Sequence, residues 1–319
     1  MYNSLSHKTK QFFSLIIKLS IVIGCGYFIY LKLIENKQLK FTVFYQNLIE
    51  NNVFTLKNGI ILLVFTFFNW FFEISKWHSL ISSISNCSFK KATIQSLASL
   101  TTSLITPNRI GEYGAKALYF EKNKRTKILG LNLVGNFYQM IMTLIFGVIG
   151  FSYFVFQHKI KIDFQQVIIV LLIGIFAMTA LFFVVKYFNF SKSYFEKTRT
   201  FIKEISLNLN IKVGLFSFLR FVIFSHQFYF LLLIFKIDIS YFDAISAITS
   251  VYLIASIIPM LSLFDVVLKG TVAIWIFSFF YTEPLTILSI TSIMWVLNFV
   301  FPAIIGSYFV LTFKPNFAK

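Results

Sequence analysis

The sequence predicts an all-α polytopic membrane protein with six full spans plus two broken or re-entrant helical hairpins, or eight or more spans if a hairpin crosses. The spans form an inverted-topology repeat within one integral membrane domain, 1–319. Three observations lead there. The chain is 57% hydrophobic and only 13% charged, with 43 Phe and a mean hydropathy of +0.78, whereas a soluble domain is about 25% charged. Its apolar residues fall in runs near the roughly 20 residues that cross about 30 Å of hydrocarbon as a helix. The order of those runs repeats in the second half.

The elements follow in order. Full spans are expected at 12–34, 59–75, 128–156, 167–188, 213–235 and 285–312. The start, MYNSLSHKTKQFF, precedes a full-length apolar run without a small-residue cleavage site, which predicts a retained first helix and not a removed signal peptide. Two further apolar regions, 92–120 and 244–281, are interrupted by Pro107 and Pro259 with charges just after each. Non-helical backbone at membrane depth survives only where protein or a water-filled cavity satisfies it. The region 244–263 is also long enough to cross, so the second interruption is either a broken hairpin or a pair of spans.

With the N-terminus inside, the cytoplasmic segments hold 19 Lys and Arg against 7 outside. The positive-inside rule then puts both termini in the cytoplasm of a multi-pass protein of the cell (cytoplasmic or inner) membrane. The net charge of +17 sits in short loops beside spans, where anionic headgroups account for it; no nucleic acid is expected. Cys25 in a span and Cys87 in a loop predict no disulfide. No metal-ligand spacing or GxxxxGK[ST] nucleotide loop occurs, so no metal, cofactor or nucleotide is expected.

The second copy of the repeat starts near Val167, an odd number of crossings after the first, so it enters from the opposite side, as in many transporters. Pro107, Glu112 and Lys116 are spaced like Pro259, Asp265 and Lys269, with one extra residue in the second copy.

Charges in so apolar a chain mark candidate sites. Arg109 offers a planar fork for phosphate oxygens, and Gly111 and Gly114 permit close backbone approach. Glu112 pairs with Lys116 four residues on, or receives a cationic head group or a proton. Asn69, Glu73 and Lys76 share one helical face. Asn132, Asn136 and Gln139 form a stripe on the third helix, and Arg220 and Gln227 another on the fifth. Arg220, one to two turns inside the run, either snorkels or pairs with Glu73. The tryptophans are expected as interface anchors and packing, and His226 as a helix–helix contact.

The stretch TPNRIGEYGAKALYF, preceded by NWFFEISKW at 69–77 and followed by a polar-flecked span, resembles the flippase-like transmembrane family that includes the membrane part of lysylphosphatidylglycerol synthase, the multiple peptide resistance factor. The resemblance covers nearly the whole chain and is most specific over 69–139. It implies a helical fold with paired re-entrant elements. It further implies movement of an anionic or aminoacylated phospholipid, or another lipid-linked head group, between leaflets. By residue it carries over to Pro107, Arg109, Gly111 and Glu112, and to Glu73. The second half departs from the family, reading PMLSLFDVVLKG without the usual glycine-rich turn before the acid. The soluble synthase domain is not expected, so lysine transfer requires a separate lipid-synthesising enzyme as partner. A homo-oligomer is compatible with the sequence. The other class of function is an intramembrane lipid transferase or phosphatase using Glu112 or Asp265 as base with His226 nearby, for which no paired acid–base set is evident.

Overall fold

Four of the expected apolar runs fold as helices long and apolar enough to cross a membrane. They are α1 (Leu56–Ser82), α4 (Arg125–Gln157), α5 (Leu207–Ile234) and α8 (Pro284–Thr312). The structure is a computed structural model. It describes residues 53, 55–104, 106, 109–160, 205–257 and 265–313, with isolated positions 23, 46 and 49. The expected spans 12–34 and 167–188 lie outside the described residues, as do Pro107, Pro259 and Cys25. The described secondary structure is helical, with no strand.

Shorter helices occupy the two interrupted regions: α2 (Phe89–Leu104) and α3 (Ile110–Leu118) in the first, α6 (Tyr241–Ile257) and α7 (Asp265–Ser278) in the second. At 1.5 Å per residue, α2 and α3 reach only about 24 Å and 14 Å, short of a crossing. Both α2 and α6 are rich in hydroxyl residues that bond back to their own helix. Ser99 donates to Ser96 O (2.9 Å), Ser103 to Leu100 O (2.7 Å) and Ser250 to Ser246 O (2.6 Å). The hydroxyls are thus satisfied without solvent, and the small side chains admit close neighbours.

Two glycines mark those close approaches. A Cβ on Gly306 of α8 would collide with Leu97 O and Thr101 of α2, where the Thr101 hydroxyl donates to Ala303 O (3.0 Å). A Cβ on Gly111 of α3 would lie 2.5 Å from Thr102 O and 2.7 Å from Thr106 Oγ1. Those threonines grip Gly111: its N–H donates to Thr106 Oγ1 (2.8 Å), and its carbonyl accepts from Thr102 (3.2 Å). Gly111 therefore serves the α2–α3 contact, and the space expected for a head group is filled by protein. Gly111→Ala is expected to destabilise the protein by about 1–3 kcal/mol, the scale of overpacking. A lowered unfolding temperature in detergent checks it.

The apolar core is split into two lobes. One gathers Leu62 of α1, Phe154 of α4, Leu231 of α5, Ile248 of α6, Ile276 of α7 and Ile290 of α8. The other gathers Trp77 of α1, Leu100 of α2, Ala117 of α3, Ile128 of α4, Val213 of α5 and Ala303 of α8. Each long helix runs from one lobe to the other, α1 and α8 in one direction and α4 and α5 in the opposite one. The first hairpin, α2–α3, belongs to one lobe and the second, α6–α7, to the other. Between the lobes the long helices carry polar residues.

Helix ends fit this frame. Past α4 and α5, Lys159 and Lys236 adopt left-handed φ of 49° and 54°. Paired bonds from Ile160 N to Val155 O (3.1 Å) and Ile237 N to Leu232 O (3.0 Å) close the last turns, and the cationic side chains suit the negative helix ends. Trp70, Trp77 and Trp295 are buried in the bundle as packing, while Trp275 is 48% exposed. One expectation is corrected. Arg220 sits thirteen residues into α5, because the polar-looking segment 207–212 is already helical; snorkelling from one or two turns deep does not describe it.

Candidate functional site

A polar relay joins α1, α5 and α8 between the apolar lobes. Glu73 accepts from Arg220 Nη1 (2.5 Å) and is ion-paired with Lys76 (2.7 Å), so the Arg220–Glu73 pairing is present. Arg220 Nε donates to Asn69 Oδ1 (3.1 Å), and Asn69 Nδ2 donates to Asn298 Oδ1 (2.8 Å). Asn298 Nδ2 donates to Gln227 Oε1 (2.9 Å), and Gln227 Nε2 to Thr66 Oγ1 (2.9 Å). Chains of this kind hold membrane helices together because the alternative is an unsatisfied polar group in a low dielectric.

Asn298 sits where α8 is irregular. Residues Val296–Val300 form a π segment, and Pro302, lacking an N–H, cannot bond the Asn298 carbonyl four residues back. That carbonyl accepts from Trp70 Nε1 instead (3.1 Å). A proline nearly three turns inside an apolar span thus presents both the backbone and the side chain of Asn298 to α1.

The second ionic cluster lies on α3. Glu112 is bonded by Lys116 (2.8 Å) and lies 3.2 Å from the Arg109 guanidinium. Lys116 also donates to Asn132 Oδ1 (2.7 Å) and rests over the Trp77 ring, 4.3 Å from its centre. Arg109 starts α3 in the left-handed region at φ 57°, ψ 26°, a strained conformation for a residue with a Cβ and one that gathers at functional sites. Its side chain stays within the ion-paired cluster yet is 40% exposed, while Glu112 and Lys116 are buried.

Both clusters present cations to one cavity of about 240 Å³. Arg109, Arg220 and Lys269 line it together with the polar Asn69, Gln139, Thr143, Ser256 and Asn298 and with Phe221, Phe224, Tyr252, Ala255 and Phe299. No carboxylate among the described residues lines it. Glu73 and Glu112 stand behind Arg220 and Arg109 and hold them. The cavity is at mid-helix: Asn69 and Asn298 are the central residues of α1 and α8, and Arg220 and Gln139 lie at or within about two residues of the centres of α5 and α4.

Of the residues singled out in the sequence, Asn69, Arg109, Gln139, Arg220 and Lys269 meet at the cavity. Lys269 also lies 5.6 Å from the Phe299 ring centre. Glu73, Glu112 and Lys116 form the layer behind. Asn132 accepts from Lys116, and Asn136 donates to Tyr113 OH (3.0 Å), so these two tie α4 to α3 and only Gln139 of the stripe faces the cavity. Pro107 and the Asp265 side chain lie outside the described residues. His226 bonds Val222 O (2.8 Å) and Tyr241 OH (2.9 Å), away from Arg109, Arg220 and Lys269. Sequence reasoning missed Asn298 and Tyr252. Asn298 had a signal, a single amide in an apolar run just before a proline; Tyr252 had none that separates it from packing aromatics.

Outside the spans, Cys87 is a half-buried free thiol in the α1–α2 loop. Burial raises its pKa, partly offset by Lys91. Alkylation is therefore expected to reach half its maximal rate above about pH 8.5, the value of an ordinary thiol; a pH–rate profile with maleimide checks it. Comparison with protein-family models, with curated proteins and with solved structures returns no match.

Proposed function

We propose that this protein is a flippase-like lipid translocator that moves an anionic phospholipid or lipid-linked head group across the membrane. The observation that carries the reading is the mid-helix cavity lined by three cations and by aromatic rings. An anionic head group crosses hydrocarbon slowly because its charge loses hydration there. Arg109, Arg220 and Lys269 offer replacement partners at that depth, and the aromatic rings among them offer contact to the less polar part of the lipid. Across both ionic clusters and the cavity, five cations face Glu73 and Glu112, and still outnumber the carboxylates when Asp265 is counted, so an anion is the favoured guest. An aminoacylated head group bearing extra positive charge fits such a field less well.

The inverted repeat is the frame of this reading. α1 and α5, its matching helices, run antiparallel and pack together, as do their counterparts by exchange: α2 on α8 and α6 on α4. Gly306 meets Leu97 and Thr101, while Gly147 and Gly150 meet Leu253 and Thr249. The interval from Pro107 to Pro259 also separates Leu97 from Thr249 and Thr101 from Leu253. Two hairpins entering from opposite faces then flank one central site, the arrangement of alternating access. The cytoplasmic placement of both termini keeps its support after Lys76, Arg109 and Lys116 are removed from the loop count as bundle residues, since 16 basic residues remain inside against 7 outside.

The test uses purified protein in vesicles carrying a labelled anionic or zwitterionic phospholipid in one leaflet. The expected result is faster equilibration of the anionic lipid with its chemistry unchanged by mass spectrometry. Conversion of the lipid to a new species supports the transferase or phosphatase alternative instead.

A further inference from the structure

We propose that Lys76 and Lys116 are positioning residues for the two arginines of the cavity. Each lysine shares a carboxylate with one arginine, so that the arginine can turn to an anionic guest without stranding the acid. This rests on the translocator reading above and adds a role for the layer of ions behind the cavity.

The same group of three side chains occurs twice, on separate elements. Glu73 of α1 is paired with Arg220 from α5 and with Lys76 three residues along its own helix, at 2.5 and 2.7 Å. Glu112 of α3 is paired with Arg109 at the start of that helix and with Lys116 four residues along, at 3.2 and 2.8 Å. Exposure falls in the same order in both groups. The arginine side chains are 17% and 40% exposed, the glutamates 9% and 5%, and the lysines 3% and 2%. Of the six residues, only the two arginines line the cavity. The cation that can meet a guest is the arginine, and the buried lysine stays with the acid.

Charge decides what the lysines do. A buried carboxylate with one cation makes a neutral pair. Drawing that cation toward a guest leaves an uncompensated charge in a low dielectric, the costly case. A second cation on the same acid alters both sides of that balance. The group of three carries one net positive charge, which attracts an anion, and the acid keeps a partner when the arginine turns away. The lysines are themselves held in place. Lys116 donates to Asn132 Oδ1 and rests over the Trp77 ring, and the Lys76 Cε lies 3.7 Å from where a Cβ on Gly135 of α4 would stand. Joining α1 to α5 needs only Glu73 and Arg220, so the second cation on the acid is what this role explains.

The experiment measures equilibrium binding of fluorescent phosphatidylglycerol, with zwitterionic phosphatidylcholine as reference, to the purified full-length protein in detergent at equal amounts of folded protein. Lys76→Met is expected to bind phosphatidylglycerol about tenfold more weakly, the scale of one charge-assisted hydrogen bond, with phosphatidylcholine binding unchanged. Two comparisons show whether the loss passes through the acid. Lys212→Met removes an equal charge from an exposed position near the start of α5 and is expected to change affinity by less than about twofold, because solvent screens it. In a Glu73→Gln background, Lys76→Met is likewise expected to change affinity by less than about twofold, since the acid that it shares is gone. Wild-type affinity in Lys76→Met overturns the inference while leaving an anion site in place. An equal loss in Lys212→Met overturns it too, and neither result requires the Glu73→Gln background to fold. A tenfold effect of Lys76→Met that persists without Glu73 also overturns it. If the wild type binds phosphatidylcholine as tightly as phosphatidylglycerol, the anion-translocator reading itself falls, and this inference with it.

Discussion

Glu73→Gln is expected to lower the stability of the protein by about 3–5 kcal/mol, the cost of stranding buried charges without their partner. Glu73 faces two cations, Arg220 at 2.5 Å and Lys76 at 2.7 Å, and the substitution leaves both facing a neutral amide. Lys76→Met is expected to cost far less, within about 1 kcal/mol, because Glu73 keeps Arg220 and the lysine stem is replaced by a side chain of similar shape. The Lys76 ammonium also has no well-aligned hydrogen bond to lose. Thermal unfolding of the detergent-solubilised protein checks the pair. Equal damage from the two substitutions contradicts the assignment of Arg220 as the principal partner of Glu73.

Arg220→Gln is expected to leave the fold standing and to slow translocation by about ten- to a hundredfold, the scale of one or two charge-assisted hydrogen bonds. Glu73 retains Lys76 in this variant, so the buried carboxylate is not stranded. What is lost is the cation that faces the cavity and the fork that reaches Asn69 and Glu73 together. Arg220→Lys is expected to be damaged too, since a point charge cannot keep both bonds in place while addressing a phosphate. Transport rates in vesicles, compared at equal amounts of folded protein, separate this from a folding defect.

The four described spans were legible because length and polarity dictate them: a helix in hydrocarbon leaves an unbroken apolar run. The interrupted regions were legible from Pro107 and Pro259 and the charges beside them, and both contain short helices. Depth was harder to read. LNLNIK at 207–212 looks like a loop by composition but is the first turns of α5, which moves Arg220 from the edge of its span to the middle. The asparagine stripe had the right periodicity, yet periodicity gives a shared face and not its neighbour: Lys116 and Tyr113 claim Asn132 and Asn136, and only Gln139 reaches the cavity. Gly111 had the right signal for close backbone approach, but the approaching group is Thr102. Asn298 bonds Asn69, Trp70 and Gln227, and Tyr252 packs on Phe221 and Phe224, partners about 30 or more residues away in sequence, which no local pattern reports.

The central claim is that an anionic head group passes through the mid-helix cavity. Thr143 lines it, and its hydroxyl bonds the Gln139 carbonyl of its own helix (3.2 Å), so Thr143→Trp fills the cavity without removing a hydrogen bond between the described helices. The measurement is the rate at which labelled phosphatidylglycerol changes leaflet in vesicles containing this variant, compared with the wild type at equal protein density. Loss of translocation by a variant that melts like the wild type is the predicted result; translocation at the wild-type rate with the cavity filled contradicts the account.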